Sequence, residues 1–429
     1  MLTLNSHSAD FQNQLDSFLA PSVTDSSVSK AVETILQDVR LRGDAALIEH
    51  SERIDKVRLT PETLRVPKSE LERALGTLSP AQRTAIEASI ASVRAFHERG
   101  LPQNWRGTNL HGATVGERYY PLQRVGLYIP GGRVPLVSTV VMTATLAKLA
   151  GVPSIAAFTP CAADGTINSS LLAAFALTGI TEVYRLGGPM AVGAMAYGTR
   201  TVPAVVKIFG PGSAYLNEAK RQVFGTIGID LLAGPSEVMI IADSTANPDF
   251  IAADILAQAE HDPRVRIIVI TPEKAILDAT LSAIELQKTT LKHRAVIDTV
   301  LATGTLCILT KQLTDSIAIA NHCAPEHLEL QVAESALDSL TQGITTAGAI
   351  FEGHHTPTVL GDFAAGPNHT LPTALAGRYL SGLRIVDFFR RSSTTRYDSS
   401  SVANAAPTVA EFSNMEQLDA HGRSLTIRL

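Results

Sequence analysis

Gln258 and His261 stand three residues apart near the end of a segment whose apolar residues, Phe250, Ile251, Ile255 and Leu256, fall at helical spacing. Residues so spaced share one side of a helix, so an amide oxygen and an imidazole face the same way. Two donors of different hardness make half a metal site; a polar helix end in water is the competing reading. Asn247 can cap this helix, and Pro248 suits its first turn. Just upstream, Ser236 and Glu237 open an apolar run, 238–242, bounded by Gly234-Pro235 and Asp243. Such a run reads as a strand buried on both faces.

Asn321-His-Cys-Ala-Pro-Glu-His327 sets Glu326 beside His327 after a helix-interrupting proline. An adjacent acid and imidazole can act as two separate bases. Cys323 offers a thiol nucleophile, although a small buried thiol is the better reading of it. Asp362, Asn368 and His369 lie among glycines in a loop-like stretch, a setting that favours function over packing. Glu416 and His421 sit in the tail, where side chains are usually solvated unless the tail reaches a site. The GxGxxG fingerprint is absent. Gly131-Gly132, Gly187-Gly188-Pro189 and Gly210-Pro211-Gly212 nevertheless offer backbone N–H groups near helix starts, suited to phosphate or simply to tight turns.

What must position these residues is an α/β scaffold. The 429 residues exceed one core, so two or three domains are expected. Residues 1–109 read as a mostly helical scaffold, placed with 236–375, with helices over 28–42 and 80–99. From 110 to 235 strands at 125–129, 154–158, 182–186 and 204–209 alternate with helices, which predicts a Rossmann-like parallel sheet. Ligands in such sheets bind at the carboxyl ends of strands, so the glycine loops mark a crevice. A second Rossmann-like unit spans 236–375, with strands at 238–242, 265–271, 305–309 and 349–351. The remainder, 376–429, is Ser/Arg/Thr-rich, ends in a short helix, and is too small for its own core.

A hydrophobic fraction of 45% against 18% charged residues fits a soluble enzyme. A net charge of −5 and the lack of a basic block argue against nucleic acid. The longest apolar stretch, 136–147, falls short of the ~20 residues of a membrane helix. Three scattered cysteines suggest a reducing compartment, and the N-terminus does not read as a signal peptide, so a cytoplasmic protein is expected.

In series, GLYIPGG, KIFGPG, EAKRQVFG, GIDLLAGPSE, QAEH, APEHLE, GDFAAGPNHTLPT and a closing E-x-x-x-x-H resemble the histidinol dehydrogenase family, in that family's order. The resemblance runs from about Val28 to the C-terminus. It implies oxidation of L-histidinol through the aldehyde to L-histidine with two NAD, the last steps of histidine biosynthesis. It also implies one zinc per subunit and a homodimer whose tail crosses to the partner. By position, the zinc ligands are Gln258, His261, Asp362 and His421, the last from the neighbouring subunit. His327 takes the alcohol proton and Glu326 activates water. Ser236, His369 and Glu416 join these residues in holding substrate, and Tyr128, Met190 and Ser213 lie on the NAD side. Three positions depart from the pattern: Met190 stands where the family commonly has Gln, Ser213 where it has Asn, and Thr358 where it has Glu. The runner-up is therefore a paralogue that oxidises another small amino- or hydroxy-alcohol. A non-catalytic zinc-binding protein of the same fold is less favoured, because both bases and all four ligands are present.

Overall fold

A computed structural model describes residues 1–20, 26–131 and 134–429; Gly132 of the first glycine pair lies outside them. In chain order the strands are β1 (Leu2–Asn5), β2 (Trp105–Thr108), β3 (Thr114–Pro121), β4 (Arg124–Tyr128), β5 (Ser154–Thr159), β6 (Glu182–Arg185) and β7 (Lys207–Phe209). They continue with β8 (Gly228–Ile229), β9 (Glu237–Ala242), β10 (Arg266–Thr271), β11 (Thr305–Leu309), β12 (His327–Gln331), β13 (Ala349–Glu352) and β14 (Phe389–Arg396).

One parallel sheet has the order β6-β5-β4-β7-β8 and the other β1-β11-β10-β9-β12-β13. Leaving aside the edge strand β1, both follow 3-2-1-4-5, with a change of direction beside the first strand. Within β9, Val238, Ile240 and Ala242 enter one core and Met239 and Ile241 the opposite one. A strand covered by helices on both faces must be apolar on both, which is why these strands read as continuous hydrophobic runs.

Helices Val137–Leu149 and Gly188–Tyr197 are buried almost all round, so each needs a second layer outside it. The N-terminal segment supplies that layer. Helix Ser26–Arg42 packs on Gly188–Tyr197 and Ala214–Val223, Lys68–Leu75 on Ser169–Leu177, and Pro80–Glu98 on Val137–Leu149. These helices therefore serve the first sheet. Among the described residues of this segment only β1 and helix Phe11–Leu19 join the second, through pairing with β11 and through its apolar core, whereas the whole of 1–109 was expected there.

Six strands, β1, β2, β3, β8, β12 and β14, were not anticipated from the sequence, and two of them are instructive. β12 was not anticipated, because HLELQ intersperses charged and amide side chains that turn out to be buried. The RRSSTTR stretch is β14, antiparallel to β3 and joined by β2 in a separate three-stranded sheet. The chain then ends in helices Ser399–Met415 and Asp419–Thr426, which pack on each other.

Candidate functional site

At the carboxyl end of the first sheet, glycine is required by close approach. A Cβ on Gly131 would come 2.8 Å from Pro160, one on Gly187 would come 2.9 Å from Pro160, and one on Gly210 would come 2.0 Å from the Tyr128 carbonyl. Gly210 also has φ +117°, which side chains rarely adopt. Its loop is clamped from below. The Gly210 amide donates to Asp230 at 2.7 Å, Lys220 donates to the Gly210 carbonyl at 3.0 Å, and Lys220 and Asp230 form a fully buried ion pair. Tyr128, at the end of β4, accepts from the Gly188 amide at 3.1 Å, and burial pushes its phenol up to about 12. Ser213 caps helix Ala214–Val223 through the Leu216 amide. Met190 is buried among apolar residues, so its side chain lies in the core rather than open to the crevice.

In the second sheet the candidate residues lie at the opposite end. Glu237 is the first residue of β9 and His327 the first of β12, and the two strands are hydrogen-bonded neighbours. The Glu237 amide donates to Glu326 Oε2 at 2.8 Å. His327 Nδ1 lies 3.0 Å from the Glu237 carbonyl and 3.5 Å from Glu326 Oε2. A carbonyl can only accept, so Nδ1 carries a hydrogen and Nε2 is left as the atom that gains and loses a proton. Burial opposes charge on the His327 ring, but Glu326, with Asp362 adding, outweighs it and lifts the imidazole to about 9. Burial and the Glu326 carboxylate push Glu237 up to about 7.

Helix Pro248–Ala259 runs back from β9 and ends at this same edge, bringing Gln258 and His261 shortly before β10 starts beside Ser236. Gln258 is buried and His261 exposed. Helix Thr358–Phe363 returns in the same way from β13 with Asp362. Beyond it, the 364–375 loop crosses to the first sheet's helix: Asn368 donates to the Met142 carbonyl at 3.0 Å, and His369 Nε2 lies 3.1 Å from Ser138 Oγ. Burial lowers the His369 pKa despite nearby Asp362.

Gln258, His261, Asp362, Glu326, His327, His369 and Ser236 thus gather at one edge. Glu416 and His421 do not. Both are exposed on the terminal helix pair, within one chain away from that edge. Among the described residues no three His, Cys, Asp or Glu side chains are close enough to hold a metal. Cys323 is buried and its thiol is pushed up to about 12, an inert group.

Sequence reading missed two features here. Glu237 stood in plain view before an apolar run; a carboxylate directly before a doubly buried strand was the available signal. Behind the site, Asp254 and Glu329 hydrogen-bond each other, and Gln331 donates to Asp254 at 3.4 Å. Burial and the Asp254 charge push Glu329 up to about 8, while the Thr358 amide donates to it at 2.9 Å.

Two parallel 3-2-1-4-5 sheets, one with glycines at its carboxyl edge and one with an acid–imidazole pair at its amino edge, define an α/β enzyme of Rossmann-like architecture. The model of the family described as histidinol dehydrogenase matches residues 20–429. Histidinol dehydrogenase of Ruegeria pomeroyi is 42% identical over 427 residues, 99% of this chain and 98% of its own. That of Rhizobium meliloti is 42% identical over 429 residues, covering 100% of this chain and 98% of its own. The crystal structure of histidinol dehydrogenase from Elizabethkingia anophelis superposes with a TM-score of 0.95 at 34% identity, over 100% of this chain and 98% of that one. The chain belongs to the histidinol dehydrogenase family.

Proposed function

We propose that the protein is a cytoplasmic NAD-dependent enzyme that oxidises L-histidinol through its aldehyde to L-histidine, with one zinc ion per site and two sites shared across a homodimer. In this reading residues 110–235 form the NAD side, 236–375 carry the bases and zinc ligands, and 376–429 reach the partner. The observation that carries it is the Nδ1 lock: His327 is held by the Glu237 carbonyl with Glu326 beside it, at the edge to which Gln258, His261 and Asp362 return.

The donor set suits zinc. The side chains of Gln258, His261 and Asp362 have no hydrogen-bond partner among the described residues, so their lone pairs are uncommitted. With His421 of the partner subunit they would make a four-donor N/O shell. Bound there, zinc would supply a positive anchor for the substrate's imidazole and amino nitrogens. The crevice suits NAD as well, because Gly188, at the turn after β6, has φ +52° and open space where a Cβ would stand. NAD bound along Tyr128 and Ser213 would supply the hydride acceptor.

The chain's own residues do the rest. His327 takes the alcohol proton on Nε2, with Glu326 compensating the charge that forms on the ring. Glu326 then removes a proton from the water that adds to the aldehyde. Ser236, His369 and Glu416 of the partner subunit orient the substrate, and His369 does so from a loop tied to both sheets. NADH formation by zinc-loaded protein given L-histidinol tests this. Two NADH per histidinol, with histidine as product, is the expected result. No NADH from protein shown to hold zinc would reject it in favour of a different small alcohol, the reading that Thr358 motivates.

A further inference from the structure

In folds with this strand order, an acid at the end of the second strand holds the adenosine ribose hydroxyls. The second strand here is β5, and it runs out into Pro160-Cys161 without an acid. A different segment occupies that place. Ser51–Asp55 forms a π-helical turn, closed by Lys56 at φ +59°. Such turns are rare and recur at functional sites. Asp55 Oδ2 lies 3.5 Å from where a Cβ on Gly187 would stand, and the same Cβ would be 2.9 Å from Pro160. The carboxylate therefore sits over the ends of β5 and β6. It is also close enough to Tyr128, at the end of β4, and to Cys161 to raise both their pKa values.

Asp55 is half-buried, and among the described residues it has neither a hydrogen bond nor an ion pair. The nearby cation does not serve it. Arg185 is committed to Glu70 at 2.5 Å and to the carbonyls of Thr63, Arg65 and Gly165.

We propose that Asp55 accepts hydrogen bonds from the adenosine ribose hydroxyls of the dinucleotide and by its charge excludes a 2′-phosphate, so that the protein selects NAD over NADP. This rests on reading the first sheet's carboxyl edge as the dinucleotide crevice. Burial already holds the Asp55 pKa above the ordinary carboxylate range, as suits a charge that has lost water and gained no donor. The N-terminal segment, which otherwise only covers the sheet, thereby contributes to cofactor choice.

The test is calorimetric binding of NAD+ and NADP+ to the full-length zinc-loaded protein and to its Asp55→Asn and Asp55→Ser variants, with 5′-ADP and 2′,5′-ADP probing the adenosine end alone. Wild type is expected to favour NAD+ by about 100-fold or more, with 5′-ADP favoured over 2′,5′-ADP in the same sense. Both variants should bind NAD+ roughly tenfold more weakly, with the preference reduced to about tenfold or less. Unchanged NAD+ affinity and unchanged rejection of NADP+ in folded variants would overturn the assignment of Asp55 while leaving the cofactor reading intact. Wild type that takes 2′,5′-ADP as tightly as 5′-ADP would overturn it without any variant. Wild type that binds neither dinucleotide would sink the crevice reading itself, and this inference with it.

Discussion

The two parallel sheets share one strand order and carry their candidate residues at opposite ends. The first carries glycines at its carboxyl edge, with the Gly188 and Gly210 amides tied to Tyr128 and Asp230. The second carries titratable groups at its amino edge, where Glu237 and His327 begin adjacent strands and helices 248–259 and 358–363 return. A common topology therefore does not fix which edge carries the titratable groups. What differs is the chemical content of the edge. A crevice for a long anionic cofactor needs space and fixed donors, whereas proton transfer needs titratable groups partly stripped of water and locked in direction.

The largest break in this comparison should come from the second sheet. His327→Asn is expected to lower the oxidation rate by about 10²–10⁴, with zinc content unchanged by metal analysis. Retained activity would remove the base from the amino edge. A hybrid experiment sharpens where that edge ends. In the proposed dimer with shared sites, mixing His327→Asn with His421→Ala subunits should restore activity to about a quarter of the sites, because half the dimers would be mixed and one site in each intact. No recovery from two inactive parents would mean that His421 serves its own chain.

Gly210→Ala breaks the other sheet. A Cβ 2.0 Å from the Tyr128 carbonyl at φ +117° should cost about 1–3 kcal/mol, seen as a lower melting temperature and a higher KM for NAD while zinc is retained. An unchanged KM would show that the clamped loop does not face the cofactor.

The smallest effect concerns the acid pair behind the site. Glu329 is held near 8, above its unfolded value of about 4.3. The protonated pair thus contributes stability that is fully present below about pH 4 and lost as pH rises toward 8. Glu329→Gln removes that titration, so wild type should lose melting temperature relative to the variant between pH 5 and about 8. Parallel curves would show that the pair does not share a proton.

Sequence alone went far where local chemistry repeats. Apolar runs revealed most strands, glycines marked the first crevice, and Glu326, His327, Gln258, His261 and Asp362 stood out by type and spacing. It failed where burial contradicts polarity. Glu329 and Gln331 disguised β12 as surface, although partners across the fold, Asp254 and the Thr358 amide, make their burial tolerable. Tertiary structure also decided what no window of sequence contains. It brought the Glu237 carbonyl to His327 across ninety residues and turned an N-terminal helical segment onto the first sheet. It also set Asp55 over the end of a strand that has no acid of its own. Periodicity reports which way a side chain faces within its own element; only packing decides what it then meets.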